Sequence, residues 1–595
     1  MSPPNFGFIR KYFSRNGRTV HIDPAVDSEK SHDPMRTWKQ KLDIWLINEG
    51  YSKIFVGVWI ISQILLFVYG FIQAYFSDNY RTAQRVAGVT YGIARGAAMC
   101  LHVDSGIVLF PMCRNLLSWF RSSNLNKVVQ FDKHIAFHKL VGWSIFFFGL
   151  LHTICHYVNF VRLARTSPNV VSQFFYYMFG HGVGWSGHVL IIVILIMGAT
   201  SVPSVRRSNF ERFWYTHHLF VIYFIVFSFH GAFCLVANDR PPLCVNIASF
   251  WKYWIASGVI YTFERVIREY RAFFRRSHVS KIVLHPSKVV EIQIKKENTF
   301  SNVKAGQYVF ICCPEVSIWQ WHPFTLTSAP EEDYISVHVR VVGDFTRNLA
   351  RALGCGDGDR VEDANNQNGR QEVTKVLPRI MVDGPFGTSS EDVFNFEVAM
   401  LVGAGIGVTP FASILKSIWY RLNYPTKSTK LRKVYFIWIC REYAAFEWFQ
   451  SLLKQLEQED IKQFISIRTY LTGKLRHSYV RNILLNSEPT LAEPDPITGL
   501  QSPTYYGRPN FQAIFEETAS AHPDTDIGVF FCGPEIIAKN LADICRRDWS
   551  CVTTSANPPQ SRHRASAWRK TMVEALAPKP QTITGVKFFF HQEHF

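Results

Sequence analysis

Four histidines stand out by type and spacing. His138 and His152 lie 14 residues apart in one apolar stretch, and His217 and His230 lie 13 apart in another. Fourteen residues make nearly four helical turns, so His138 and His152 share one face about 21 Å apart along the axis. The 13-residue pair spans about 19.5 Å and drifts around its helix, which tilt or a bend would absorb. Imidazole nitrogen is a standard axial ligand of haem iron, and a haem wedged between two helices takes one ligand from each. The spacing therefore predicts one iron between His138 and His217 and a second between His152 and His230. A lone histidine in an apolar helix is as readily a hydrogen-bonded packing residue. Ionisable groups in lipid are costly and mark functional positions, however, and four in this arrangement favour ligation. His156 lies one turn past His152, and Arg95 is read as a buried charge in a neighbouring span; His218, beside His217, would face elsewhere, and His102 and His134 read as structural or interfacial.

The elements that must position these groups are apolar spans. Six occur, at roughly 54–75, 87–112, 135–159, 186–203, 212–236 and 246–264, each near the 20 or so residues needed to cross a bilayer core. Basic residues gather before the first span (Arg36, Lys39, Lys41), in the second and fourth connections (Arg114, Arg121, Arg206, Arg207) and after the last (Arg265, Arg268, Arg271). Positive charge marks the cytosolic side, so both termini are expected there and the third and fifth spans run outward together. The net charge of +18 is thereby assigned to membrane flanks, and no Lys/Arg run resembles a nucleic-acid arm. The 12 cysteines form no C-x-x-C pair, and no N-x-Ser/Thr sequence occurs.

Beyond about residue 280 the pattern changes. Alternating runs at 308–311 and 335–342 read as strands. After 396, strand-like runs (398–404, 433–439, 526–532) alternate with helical ones (411–422, 446–458), the mark of a parallel sheet with crossover helices. Polar stretches near 355–372, 487–506 and 553–565 read as surface loops. This divides the chain into a cytosolic segment (1–50), a six-helix transmembrane di-haem domain (51–270), a β-barrel (278–395) and an α/β nucleotide-binding domain (396–595). Gly403, Gly405 and Gly407 follow a strand and open a helix whose first turn carries Thr409 and Pro410, an arrangement suited to phosphates. Val408 breaks the G-x-G-x-x-G spacing of the common dinucleotide fingerprint.

Several strings together resemble the NADPH oxidase and ferric reductase families over roughly residues 50–595. They are Phe137-His-Lys, Tyr215-Thr-His-His-Leu-Phe, His322-Pro-Phe-Thr-Leu-Thr-Ser-Ala-Pro, Asp383-Gly-Pro-Phe-Gly, the Gly403 loop, Phe446-Glu-Trp-Phe, Gly507-Arg-Pro-Asn, Phe531-Cys-Gly-Pro and the final Phe595. The resemblance implies a ferric-reductase-like helical bundle, a ferredoxin-reductase-like barrel for FAD and a domain for NADPH. It places His322, Pro323, Phe324 and Thr325 along the flavin and Arg340 against its pyrophosphate. Thr346, before an amphipathic run, is expected to N-cap a helix aimed at the phosphates. Arg508, assisted by Arg441, is implied at the 2′-phosphate of NADPH, Cys532 beside the nicotinamide, and Phe595 stacked on the flavin. Arg95 and His156 match the residues at the oxygen-reducing end, and Cys234 and Cys244 match a disulfide in an external loop.

The implied activity is transfer of electrons from NADPH through FAD and two haems b to O2, giving superoxide. A flavin takes the two electrons of a hydride and passes them singly to iron, so it belongs between the two. A ferric-chelate reductase with the same electron path is the rival reading. The 13-residue spacing in the fifth span favours the oxidase, as does the lack of an external metal-ligand cluster; intact flavin and NADPH strings weigh against a non-enzymatic scaffold. Without a calcium-binding D-x-D-x-D-G loop, the chain is most similar to the fungal oxidases, their B isoform in particular. The resemblance further implies a cytosolic activator, a Rac-type GTPase and a small membrane partner subunit, with residence in the plasma membrane or an endomembrane.

Overall fold

Apolar runs become helices here because a helix satisfies its own backbone hydrogen bonds where water is absent. A computed structural model describes residues 38–121, 123, 129–241, 247–274, 277–285, 288–296, 300, 303–355, 377–424, 429–442, 446–458, 463–473, 495, 498–523, 525–547 and 586–593. They form two compact units, one over Tyr51–Tyr270 and the other over the preceding segment together with Arg271 onward.

The first unit is helical. Its principal helices are α1 (Tyr51–Tyr75), α2 (Val89–Ile107), α3 (His134–Ala164), α4 (Gly182–Ser201), α5 (Phe210–His217), α6 (Phe220–His230) and α7 (Trp251–Phe274). Among the described residues, four helical stretches are long and apolar enough to cross a membrane: Asn48–Tyr75, Val89–Met112, Phe131–Ala164 and Gly182–Ser201. The remaining two expected spans take other forms. The fifth is divided into α5 and α6, neither long enough alone. The sixth, expected to end at 264, falls in the first half of α7, and the helix continues without a break into the charged flank that carries Arg265, Arg268, Glu269 and Arg271. At the α5–α6 junction, the amides of His218, Leu219 and Val221 bond to carbonyls three residues back, those of Tyr215, Thr216 and His218. The helix is locally overwound to 3₁₀ geometry at this point.

Small residues bring the helices close. A Cβ on Gly96 would lie 2.7 Å from the Phe67 carbonyl oxygen, and one on Gly70 would lie 2.8 Å from Met99 Cβ, so α1 and α2 pack backbone to backbone. Asp104 is fully buried on α2. It accepts hydrogen bonds from Gln63 Nε2 of α1 (2.8 Å) and Ser144 Oγ of α3 (2.6 Å), fastening three helices at one level. Ser105 of α2 and the Tyr223 hydroxyl of α6 lie 2.8 Å apart, and Trp254 Nε1 of α7 donates to Ser228 Oγ of α6 at 3.0 Å. Cys234 is disulfide-bonded, and its expected partner Cys244 lies outside the described residues.

The second unit opens with two three-stranded sheets. One has the order β1 (Val279–His285), β2 (Val289–Lys295), β5 (Tyr334–Arg340), and the other β4 (His322–Thr325), β3 (Tyr308–Cys312), β6 (Met381–Phe386). Alternate residues of both, including Ile292, Ile294, Val309, Ile311, Val337 and Val339, form one core beneath α8 (Asp344–Ala352). A six-stranded sheet follows, in the order β10 (Thr504–Tyr506), β9 (Ile465–Leu471), β8 (Lys433–Cys440), β7 (Val398–Ala404), β11 (Asp526–Cys532), β12 (Lys587–Gln592). All its pairings are parallel. Such strands bury both faces, which explains their unbroken apolar runs. β10 falls in the stretch read as a loop; its three residues pair with the edge of β9, a tertiary contact without a local signal.

Helix α9 (Thr409–Asn423) follows β7 and fastens this sheet to the barrel. Ser413 Oγ donates to the Ser328 carbonyl at 2.6 Å and Ser417 Oγ to Glu331 at 3.0 Å. At the far edge, buried Glu593 anchors the chain just past β12. Its Oε1 accepts from Ser390 N (2.7 Å), Ser390 Oγ (2.5 Å) and Ser389 Oγ (3.1 Å), while its own amide donates to the Phe531 carbonyl. Glu593→Ala strands these buried donors and should cost about 1–3 kcal/mol, read as a lowered melting temperature of the flavin-loaded protein.

Candidate functional site

The four histidines are brought together as two pairs. The ring centres of His138 (α3) and His217 (α5) lie 6.1 Å apart, and those of His152 (α3) and His230 (α6) lie 6.4 Å apart. An ion held between two imidazoles by bonds of about 2 Å puts the ring centres roughly 6.2 Å apart, since each nitrogen stands about 1.1 Å from its ring centre. Both separations meet that requirement.

The second ring nitrogens explain why the ligating ones face inward. His138 Nδ1 bonds to the Val108 carbonyl (2.8 Å), His152 Nδ1 to the Ala94 carbonyl (2.9 Å) and His230 Nδ1 to Ser186 Oγ (2.7 Å). Ser186 Oγ itself donates to the Gly182 carbonyl, so His230 must be the donor to it. A carbonyl or hydroxyl acceptor fixes the proton on Nδ1 and presents Nε2 as the ligand. His217 Nδ1 is buried with no hydrogen-bond partner among the described residues. Space for a macrocycle comes from small residues: a Cβ on Gly142 would meet nothing within 4 Å, and one on Gly187 would come only to 3.5 Å from His230. A cavity beside the second pair is lined by Gly149, Gly187, Leu190, Ile191, Phe227 and His102. The residues present fit two haems.

Around this second pair, His156 sits with its ring centre 4.4 Å from that of His152, and its buried Nδ1 has no hydrogen-bond partner among the described residues. Arg95 follows Ala94 on α2. It is exposed, contrary to a reading that buries its charge, because the helix turns it toward the Tyr80 ring, 5.9 Å away. His102, read as structural, stacks flat on Tyr253 at 4.1 Å in the wall of the cavity. His134 and His218 bond to the Phe131 and Trp214 carbonyls of their own turns. Tyr157 and His188 escaped the sequence reading; the Tyr157 hydroxyl meets His188 Nε2 at 3.0 Å beside His156. Ser186 escaped it too, its signal no more than a hydroxyl in an apolar helix.

In the barrel, β4 pairs with β3 so that Phe324 stands opposite Val309 and Thr325 opposite Tyr308. Successive strand residues face opposite ways, so buried Thr325 and half-buried Phe324 serve different faces, while Pro323 is exposed. The His322 ring stacks on Phe345 at 3.8 Å and 23°, joining the start of β4 to the start of α8. Arg340 is exposed at the end of β5, four residues before the first residue of that helix. Thr346 is not the N-cap; Gly343 is. Thr346 occupies the third helical position, and its hydroxyl accepts from the amides of Gly343 and Val342, both at 3.0 Å. The hydroxyl thus reaches back to the amides at and before the cap, the part that the third residue plays in a capping box.

In the parallel sheet, every predicted nucleotide residue among those described follows a strand's carboxyl end. Gly403 and Gly405 close β7, Arg441 follows β8, Arg508 follows β10 through Gly507, and Cys532 ends β11 in register with Gly403. Arg441 and Arg508 are exposed. Strand order reverses direction between β7 and β11, and open α/β sheets bind ligands at such a switch point. Gly405 adopts φ +59° with its carbonyl held by Trp438 Nε1 at 3.1 Å. A Cβ on Gly407 would run into the Cys532 backbone, so the loop lies against the end of β11. Thr409 and Pro410 begin α9. Burial, then the nearby Glu593 carboxylate, pushes the Cys532 thiol well above its usual range. Phe595 lies outside the described residues.

Comparison with known proteins agrees with this layout. Residues 105–228 match the ferric reductase like transmembrane component, 274–390 an FAD-binding domain and 396–546 the ferric reductase NAD binding domain. NADPH oxidase 1 of Mus musculus is 38% identical over 84% of this chain and 92% of its own length. A superoxide-generating NADPH oxidase heavy chain of Dictyostelium discoideum is 39% identical over 84% and 95%. NADPH oxidase 3 of Homo sapiens is 34% identical over 86% and 97%.

Two outcomes are expected. Ser186→Ala frees the His230 ring and should weaken outer haem retention roughly tenfold or more, seen as a lowered haem-to-protein ratio by pyridine haemochrome. Cys532, held protonated, should resist iodoacetamide at pH 8 in the folded protein while reacting after denaturation, as scored by mass spectrometry.

Proposed function

The chain belongs to the NADPH oxidase family, and from that premise we propose the part each side chain plays. The protein is a membrane-spanning, superoxide-forming NADPH oxidase: electrons pass from cytosolic NADPH through FAD and two bis-histidine haems to O2 on the opposite side. The observation that carries the residue assignment is the pair of imidazole couples, 6.1 and 6.4 Å between ring centres.

FAD accepts the two electrons of a hydride and haem iron moves one at a time, which is the chemistry these groups supply when bound. His138 and His217 hold the inner haem, and His152 and His230 the outer. With both imidazoles of each pair committed to iron, the haems would supply one-electron transfer to O2 without binding it. We assign His156 and Arg95 to the surroundings of the outer pair: the His156 ring centre lies 4.4 Å from that of His152, and Arg95 adjoins Ala94, whose carbonyl holds His152. A cation there stabilises the superoxide anion as its charge develops.

On the cytosolic side, His322, Pro323, Phe324 and Thr325 line the flavin, and Arg340 with the first turn of α8, braced by Thr346, takes its pyrophosphate. The Gly403–Pro410 turn receives the NADPH pyrophosphate. Arg508 and Arg441 bind the 2′-phosphate, for which a planar guanidinium is suited. Cys532 would flank the nicotinamide as an uncharged thiol, and Phe595 would be the aromatic stacked on the flavin. We assign the di-haem domain to 51–270, the FAD barrel to 278–395 and the NADPH domain to 396–595. A cytosolic activator, a Rac-type GTPase and a small membrane partner complete the active assembly in this reading.

Membranes containing the protein should reduce cytochrome c with NADPH in a manner abolished by superoxide dismutase and raised by added FAD. His152→Leu should remove one of two haems and nearly all superoxide, and undiminished output would refute the electron path. Arg508→Ala should raise the KM for NADPH roughly tenfold to a hundredfold, equivalent to about 1.5–3 kcal/mol, with the KM for NADH unmoved. Faster reduction of ferric chelates than of O2 would instead favour a ferric reductase.

A further inference from the structure

One face of the β1–β2–β5 sheet gathers three metal-ligand side chains that the electron path does not use. Glu291 on β2 stands directly across from His338 on β5, and His285 on β1 stands diagonally across from it, two residues along from its register partner Val283. Cross-strand neighbours at these positions bring side-chain tips together. His285 Nε2 lies 3.3 Å and His338 Nε2 3.7 Å from the same carboxylate oxygen, Glu291 Oε2, and the three ligand atoms all lie within 4.8 Å of one another. The side chains are 18, 9 and 13% exposed for His285, His338 and Glu291, shielded from bulk water yet reachable by a small ion.

From this convergence we propose that His285, Glu291 and His338 form a binding site for a divalent transition cation of the zinc class. Tetrahedral bonds of about 2 Å place ligand atoms roughly 3.3 Å apart, close to the separations present, whereas 3.7 Å is too long for a hydrogen bond between His338 and the carboxylate. The outer partners are also in place. Thr327 Oγ1 donates to the Ser336 carbonyl and accepts from His338 Nδ1 at 2.8 Å, which directs His338 Nε2 toward the carboxylate. Gln293 Nε2 donates to Glu291 Oε1 at 2.8 Å, which leaves Oε2 for the ion. Such supporting bonds orient ligands at metal sites. Two imidazoles and one carboxylate leave a fourth position for water. The bound ion would staple three strands, the last of which ends at Arg340.

The test uses the full-length protein loaded with haem and FAD, dialysed against a chelator and titrated with Zn2+ in competition with a fluorescent chelator. One high-affinity equivalent is expected, with affinity falling at least tenfold in His285→Gln and Glu291→Gln and about tenfold in Thr327→Val. Flavin content and melting temperature without metal verify that each variant is folded. X-ray absorption at the zinc edge of the wild type should show imidazole scattering and a nitrogen and oxygen shell at about 2.0–2.1 Å. Unchanged affinity in folded variants, or a wild-type spectrum without imidazole scattering, would overturn the site, as would failure of the wild type to retain zinc.

Discussion

The membrane half depends on hydrogen bonds from imidazoles to main-chain carbonyls. His138 and His152 on α3 bond to the carbonyls of Val108 and Ala94, and these acceptors are themselves 14 residues apart on α2 and its C-cap. Two antiparallel helices thus carry the same interval, and one axial register satisfies both bonds at once. The acceptors differ in kind. Val108 caps a helix end, where carbonyls lack an intrahelical partner, whereas Ala94 lies within the helix and offers its second lone pair. Sliding α2 by one residue would break both bonds together, so Asp104, which lies between them and is bonded to α1 and α3, guards the alignment of both iron sites.

The nucleotide-binding half relies on topology instead. A parallel sheet sends all its strands' carboxyl ends to one edge, so residues scattered from Gly403 to Cys532 in sequence arrive together without any side chain directing them. What local chemistry adds is close approach. Gly407 lets the turn lie against the end of β11, and Glu593 binds the last strand to Ser389 and Ser390. Position is thus supplied by backbone hydrogen bonding and clearance by the absence of side chains.

How much of this was legible in the chain follows from which atoms do the work. Histidines and glycines announce themselves by type, and their spacing pointed to the paired imidazoles and the loop after β7, whereas Arg441, Arg508 and Cys532 were named by the family resemblance. Main-chain carbonyls have no residue type, so the acceptors at Ala94 and Val108 left no trace in composition. Thr346 was read one role away from its place, because a hydroxyl near a helix start caps from outside or braces from within, and only the backbone distinguishes them. The division of the fifth span escaped hydropathy, which averages over a window and does not see where a helix changes pitch. The His285–Glu291–His338 group joins three strands and has no local spacing to betray it.

That change of pitch has a consequence for haem geometry. In an unbroken α-helix, thirteen residues would leave His217 and His230 about 140° apart and some 1.5 Å short of the rise between His138 and His152. Each residue wound as 3₁₀ advances about 0.5 Å further and turns about 20° more. Three such residues at the α5–α6 junction make up the missing length and recover close to half of the angular error. The overwound turn behaves as a vernier, matching a thirteen-residue scale to a fourteen-residue one. Inserting one residue there while leaving the pitch unchanged would bring the pair to within about 20° of alignment but overshoot the rise by about 1.5 Å.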